Sequence, residues 1–180
     1  MQSAYCAAKA AIRGFTDSLR SELLHNKSAI RLTMVHLPGI NTPQFDWARN
    51  KMGKRVQPVS PIFQPDVAAR AILSAAHRAP REVWLGRSTL QSVVGNMLFP
   101  GLLDRIMSKQ GWSGQITDEP EATERPDNLH HPVEGLHRSH GRFDDQANDR
   151  ALHLNVSNPG LTLLGAAAVI WLGLRSLRRR

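Results

Sequence analysis

The sequence predicts an α/β fold over residues 1–109. Good helix formers dominate a stretch at 3–24 that has no Pro, and a short β-branched run at 30–36 follows it. A second helical pattern at 65–77 is followed by a second short apolar run at 82–85. Helices that alternate with short apolar strands define this fold class.

The first predicted helix carries a single apolar stripe. Its large apolar residues recur at intervals of three and four positions: Ile12, Phe15, Leu19 and Leu23. Extended toward the amino terminus, the stripe passes through Lys9 and Tyr5. We therefore expect these two polar side chains on the buried or semi-buried face of the helix.

The following segments alternate between strand, loop and helix. The apolar run at 30–36 predicts a central strand, which Pro38-Gly39 ends. Residues 43–64 have no clear period and predict a long loop, with or without a short helix around 45–52. Long ordered loops usually carry function. Residues 88–109 predict an apolar helical stretch that breaks at Pro100-Gly101, because proline lacks the amide donor.

Charge divides the chain into zones. The net charge is +8, with basic residues in excess before residue 110 and acidic residues in excess over 110–150. The only basic cluster in the first zone lies beside Trp47 and is typical of solvated surface, so we do not expect a nucleic-acid partner. A single cysteine, Cys6, excludes an intramolecular disulfide framework and is expected to be a small packed residue.

The composition changes after residue 109. Gly, Pro, Asp, Asn, His and Glu dominate residues 110–158, which predicts a polar, irregular or disordered extension. Four histidines lie within 130–140, near Asp144 and Asp145. Their spacing matches no structural metal motif, so we predict no metal site.

The last segment, 159–180, predicts an apolar helix with a basic end. Residues 160–174 carry no charge, and four of the last six residues are Arg. A 15-residue helix is about 22 Å long, shorter than the bilayer core of roughly 30 Å. Membrane contact through 160–177 is expected, and a single span and an insertion that lies on the membrane both remain open. This predicts a location on the cytoplasmic face of a membrane.

Tyr5 and Lys9 form the chemically informative pair. Side chains four positions apart on a helix lie on one face. A nearby ammonium favours the phenolate form of a tyrosine, which can then exchange a proton with a substrate hydroxyl or carbonyl. The same spacing also occurs in many helices with no such role.

The surrounding residues resemble one enzyme family. Residues 3–23 read SAYCAAKAAIRGFTDSLRSEL, which resembles the active-site helix of the short-chain dehydrogenase/reductase family. The strand at 30–36 and the turn at Pro38-Gly39 resemble the next strand and its nicotinamide-side loop. The resemblance implies a Rossmann-type doubly wound sheet, of which this chain would hold the C-terminal half. The extension and apolar tail resemble those of one bacterial subgroup.

The resemblance also implies residue roles. Tyr5 would be the catalytic acid/base, and Lys9 would bind the nicotinamide ribose. The cofactor, NAD or NADP, would also be flanked by the residues after the strand: Pro38, Gly39, Ile40 and Thr42. Thr42 departs from the family pattern, which places one more residue between the Gly and the Thr. The long loop would line the site of a small alcohol or carbonyl substrate through Phe45, Trp47 and Met52.

The sequence lacks a glycine-rich turn after a first strand, the feature that binds the dinucleotide phosphates. We therefore expect the C-terminal part of an oxidoreductase, and whether this part is active or inactive alone stays open. By resemblance it would form homo-oligomers. The alternative is a non-catalytic, membrane-associated remnant or interaction subunit.

Overall fold

A computed structural model describes residues 2–122, 124–135, 137–157 and 160. Within these residues the chain alternates helices and short strands, in agreement with an α/β fold. The helices are α1 (Ser3–His25), α2 (Gln44–Trp47), α3 (Pro65–Arg78), α4 (Arg87–Leu98) and α5 (Pro100–Ser113). The strands are β1 (Met34–His36), β2 (Gly39–Ile40), β3 (Lys54–Val56), β4 (Ile62–Phe63), β5 (Glu82–Leu85), β6 (Ile116–Pro120), β7 (Ala147–Asn148) and β8 (His153–Val156).

The first sheet has the strand order β1-β5-β8. Strand β1 runs parallel to β5, with Met34 opposite Glu82 and His36 opposite Trp84. Strand β8 is antiparallel on the other side of β5. The two strands predicted from the sequence therefore pair directly, although β1 is shorter than the predicted 30–36. This parallel, helix-connected pair is consistent with part of a Rossmann-like sheet.

Two further sheets contain strands of the polar extension. Strands β2, β4 and β7 form a parallel sheet, and β3 pairs antiparallel with β6. The prediction of an irregular extension over 110–158 is therefore corrected, since β6, β7 and β8 all lie within it. These strands have two to five residues and mostly polar side chains. Backbone pairing to distant segments forms them, which composition does not reveal.

The core lies where α3 packs on the sheets. Strand β5 is buried along its whole length, and α3 buries Val67, Ala68, Ala71 and Ala75. Phe63 and Leu85 complete the central cluster. At about 25 cal/mol per Å² of apolar surface, each fully buried large side chain stabilises the fold by roughly 2 kcal/mol. This core holds the ends of β1 and β5, and with them the site described below.

Helix α1 differs from its expected environment. It contains no fully buried residue, and the side chains of Tyr5, Ile12 and Phe15 are 54%, 54% and 66% exposed. Only the carboxyl-terminal half of the apolar stripe, at Leu19 and Leu23, is partly covered. The predicted buried face is exposed because no described element covers its amino-terminal half.

Helices α4 and α5 meet at the predicted break. The break falls at Phe99, next to Pro100. A Cβ at Gly95 would lie 3.0 Å from Leu103 Cδ1, so the two helices pack closely. None of the helices in the described ranges is long and apolar enough to cross a membrane. The predicted membrane segment at 160–177 lies outside the described residues, apart from Gly160.

Candidate functional site

A cleft of about 770 Å³ opens beside α1. Its walls come from one face of α1, the end of β1, the turn at 37–39, residues 59–60 and the first turns of α4. The carboxyl end of a strand in a parallel sheet is where α/β folds usually bind ligands. The cleft therefore lies at the place where this architecture favours a site.

Tyr5 and Lys9 both line this cleft. They project from the same face of α1, and Lys9 Nζ lies 5.3 Å from the centroid of the Tyr5 ring. This separation is within the range of a cation–π interaction. The pair is thus close enough for the ammonium charge to act on the phenol, and its catalytic role stays a prediction.

Pro38 and Gly39 reach the same cleft from the end of β1. Gly39 is required there because a Cβ would lie 2.6 Å from the backbone oxygen of Val59. Four of the predicted cofactor residues are therefore brought together. Ile40 packs against the core cluster instead, and the amide of Thr42 donates to the oxygen of Ile40 at 2.9 Å. Neither of these two is among the residues that line the cleft.

The predicted substrate-loop residues lie outside the cleft. The Phe45 ring packs edge-on against Phe143, with 5.7 Å between centroids. The backbone oxygen of Trp47 accepts a hydrogen bond from the amide of Asn128, and Met52 is 42% exposed. The same loop instead contributes Val59 and Ser60 to the cleft wall. A substrate role for the three predicted side chains stays a prediction.

Sequence reasoning missed a buried carboxylate next to the cleft. Glu82 on β5 is only 3% exposed, and it accepts a hydrogen bond from Trp84 Nε1 at 2.8 Å. His36 Nε2 lies 3.1 Å from Glu82 Oε2, at ion-pair distance but without the alignment of a hydrogen bond. Arg13 Nη2 is 3.5 Å from Oε1. The signal in the sequence was a glutamate at the start of an apolar strand.

This carboxylate organises one side of the cleft. Arg13 and His36 both line the cleft, and both are tied to Glu82. A buried carboxylate is stable only when cations and donors compensate it. The cleft wall therefore places an arginine and a histidine beside a buried carboxylate. Ser88 also lines the cleft, and among the described residues its buried hydroxyl has no hydrogen-bond partner.

A second polar centre lies where the extension meets the domain. Asn41 is fully buried and donates to Gln64 Oε1 at 3.0 Å and to Asp144 Oδ1 at 2.7 Å. Its side-chain oxygen accepts from the amide of Phe143 at 3.0 Å. Hydrogen bonds, first from Gln64 and then from His140, lower the pKa of the Asp144 carboxyl.

Comparison with known proteins identifies a family. The family model described as "short chain dehydrogenase" matches residues 1–53, which include α1, β1 and the turn at Pro38-Gly39. The chain belongs to the short-chain dehydrogenase family of oxidoreductases.

Two kinds of relative share this similarity. The chain is 32% identical over 140 residues to "Uncharacterized oxidoreductase YxnA" of Bacillus subtilis (strain 168), which covers 76% of this chain and 39% of that protein. It is 35% identical over 92 residues to "Putative oxidoreductase SadH" of Mycobacterium tuberculosis, in strains CDC 1551 / Oshkosh and H37Rv. That match covers 47% of this chain and 33% of the relative. The chain thus spans well under half the length of these relatives. No solved structure gives a significant match.

Proposed function

We propose that this chain carries the acid–base part of an NAD(P)-dependent oxidoreductase that interconverts an alcohol and a carbonyl. The observation that carries the proposal is the meeting of Tyr5, Lys9, Pro38 and Gly39 at one cleft. The first two residues lie on α1 and the last two follow β1, so folding brings a phenol, an ammonium and a close-approach glycine from separate parts of the chain to the same space. Family membership supports the reaction class.

The residues suit the nicotinamide end of such a cofactor. Gly39 allows the backbone of Val59 to approach the turn closely, and Lys9 offers an ammonium that can donate to a ribose hydroxyl. When bound, a nicotinamide supplies or accepts the hydride. The chain's own contribution is to hold that ring and to move a proton.

In this mechanism Tyr5 exchanges a proton with the oxygen of the substrate. In the reducing direction the phenol gives its proton to the carbonyl oxygen as the alcohol forms, and in the oxidising direction the phenolate takes it back. Lys9 presents its ammonium from the same helix face, with Nζ 5.3 Å from the centroid of the Tyr5 ring. The half-exposed position of Tyr5 leaves its hydroxyl accessible to a substrate.

One observation favours the alternative of a non-catalytic subunit. The sequence contains no glycine-rich dinucleotide fingerprint, so the phosphates of the cofactor have no evident cradle in this chain. Under this alternative the cleft would bind no nicotinamide. The two interpretations therefore differ in two measurable properties. These are the binding of a nicotinamide cofactor, which would depend on Lys9, and the turnover of substrate, which would depend on Tyr5.

The test combines turnover and binding. Oxidation of NADH and NADPH is followed with a set of aldehydes and ketones, for the wild type, Tyr5→Phe, Lys9→Met and the matched control Cys6→Ala. General acid–base catalysis contributes about 10²- to 10⁴-fold, so Tyr5→Phe should lower kcat by at least about 100-fold. Binding, measured by fluorescence of the reduced nicotinamide, should weaken in Lys9→Met and persist in Tyr5→Phe.

The control variant changes an exposed neighbour on the same helix and should leave both quantities unchanged. Equal turnover by the wild type and Tyr5→Phe would refute the acid–base role. A wild type that neither binds a nicotinamide nor turns over would favour the non-catalytic alternative.

A further inference from the structure

The polar extension packs against the segment that leads to the cleft and forms hydrogen bonds with it. We call residues 114–148 the clamp and residues 41–60 the wall segment. Clamp strand β6 pairs with β3 of the wall segment, and the amide of Gln57 donates to the oxygen of Gln115 at 3.0 Å. A Cβ at Gly141 would lie 2.6 Å from the oxygen of Thr42, so the two backbones are in direct contact there. This is an ordered interface.

Arg142 is the centre of the interface. Its guanidinium donates to the oxygen of Phe45 at 3.3 Å and to the oxygen of Val56 at 2.6 Å. It also pairs with the carboxylate of Asp46 and lies 4.8 Å over the ring of Phe143. Only 20% of the side chain is exposed. One arginine therefore ties together two points of the wall segment that are ten residues apart in sequence.

The wall segment depends on such donors. Irregular backbone carbonyls that are removed from water need partners outside regular secondary structure. Arg125 supplies two further donors, to the oxygen of Ala48 at 2.6 Å and to that of Phe45 at 3.4 Å. The planar fork of an arginine suits several acceptors at once, unlike the ammonium of a lysine. Arginines of the clamp thus supply donors to three backbone oxygens of the wall segment, in and just after α2 and at the end of β3.

The residues that Arg142 contacts are connected to the cleft wall by only a few residues of chain. Strand β3 ends at Val56, whose oxygen Arg142 holds, and residues 58–60 follow almost at once. Val59 and Ser60 line the cleft together with Tyr5, and the oxygen of Val59 lies over Gly39. A displacement at Val56 would therefore move this part of the cleft wall.

We propose that Arg142 is a positioning residue that fixes the Val59–Ser60 wall and thereby sets which substrates the cleft accepts. The specificity part rests on the proposed oxidoreductase function. The positioning part rests on the hydrogen bonds and burial alone. Arg142 touches neither Tyr5 nor Lys9 through any contact in the described structure, so its effect is on substrate fit rather than on proton transfer.

The first test is hydrogen exchange, followed by mass spectrometry on the 180-residue chain. Arg142→Ala should accelerate exchange in peptides covering 54–63 at least tenfold, and Arg142→Lys should lie between it and the wild type. The matched control is Arg138→Ala. Arg138 also pairs with Asp46, at 3.3 Å, but it is half exposed and contacts no wall carbonyl. In Arg138→Ala, the exchange rate of the peptides covering 54–63 should differ from that of the wild type by less than twofold.

Peptides of α3 serve as a check on global unfolding, because this helix carries much of the core. If Arg142→Ala accelerates hydrogen exchange in the α3 peptides as much as in the 54–63 peptides, the variant has lost global stability. The test then uses Arg142→Lys, which keeps the positive charge. Faster exchange confined to 54–63 in either variant supports the positioning role. Unchanged exchange at 54–63 in both variants overturns it.

The second test is substrate ranking. With a small and a bulky aldehyde, Arg142→Ala should change the ratio of kcat/KM by at least fivefold, mainly through KM, while Arg138→Ala leaves the ratio unchanged. Faster exchange at 54–63 with an unaltered ranking overturns the specificity role. A wild type without turnover would refute the proposed function, and the exchange measurement would still decide whether Arg142 positions the wall.

Discussion

The buried Asn41 offers a sharp test of how the extension is held. Replacing Asn41 with Ala removes both functions of the amide, its acceptor for the Phe143 amide and its donor to Gln64 and Asp144. Asn41 is 0% exposed, so water does not reach its position without rearrangement. We expect Asn41→Ala to destabilise the chain.

The size of this destabilisation depends on which partners of Asn41 are left without a hydrogen bond. The amide of Phe143 is buried, and a buried donor left without an acceptor costs about 1–3 kcal/mol. The side chain of Asp144 is 59% exposed, so water can replace the lost donor at small cost. Gln64 keeps the hydrogen bond from its Nε2 to Asp144 at 3.2 Å, but its buried Oε1 loses the donor that Asn41 supplied. The expected loss is therefore about 2 kcal/mol, which arises at the Phe143 amide and at Gln64 Oε1.

The assay is urea denaturation followed by circular dichroism and by tryptophan fluorescence. With an m-value of about 2 kcal/mol per M, a loss of about 2 kcal/mol lowers the midpoint by about 1 M. The control is Asn155→Ala, the same truncation at an exposed position of β8, which should stay within about 0.5 kcal/mol of the wild type. If both variants have the wild-type midpoint, Asn41 does not anchor the extension and the reasoning fails.

Two further predictions concern titratable groups. Glu82→Ala leaves the buried Trp84 indole without its acceptor, so it should lower the free energy of unfolding in urea by about 1–3 kcal/mol. Glu82→Gln keeps an acceptor and should recover much of this loss. Equal losses in the two variants would contradict this account. The hydrogen bond to Asp144, and then the one to Asp66, raise the pKa of His140 above its ordinary value of 6.5. A raised pKa means that the contribution is full below about pH 6.5 and is lost as the pH rises through the folded-state pKa, so the gap in midpoint between wild type and His140→Gln should narrow from about pH 6 to 8. A gap that widens over this range would show the opposite sign.

The sequence predicted the elements whose pattern is strong and local. Strand β5 begins and ends as expected at Glu82 and Leu85, and α3 extends one residue beyond the predicted 65–77. The helix break near Pro100 follows from the chemistry of proline alone. In each case the determining residues are neighbours in the sequence, so periodicity and composition carry the information.

The extension could not be predicted in this way. Arg142 finds its partners 86 to 97 positions away in the sequence, and clamp strand β6 pairs with β3, which lies 60 to 66 positions before it. A polar composition is shared by solvated linkers and by segments whose polar groups bond to another part of the chain. Only the folded arrangement distinguishes the two. The exposure of the apolar stripe on α1 could not be predicted from the sequence either. Periodicity predicts which side chains share a face of the helix, but it does not predict what covers that face.

The same arrangement changes where substrate selectivity is expected. The loop aromatics Phe45 and Trp47 were natural candidates for the substrate wall, because long loops often cover active sites. In the structure the ring of Phe45 packs on the clamp instead, and the residues that reach the cleft are Val59 and Ser60. The clamp occupies the loop's aromatic side and leaves the backbone beyond β3 to shape the cleft. Under the proposed positioning role of Arg142, a substitution in the clamp would therefore alter the cleft wall at Val59 and Ser60 without any change at Tyr5 or Lys9.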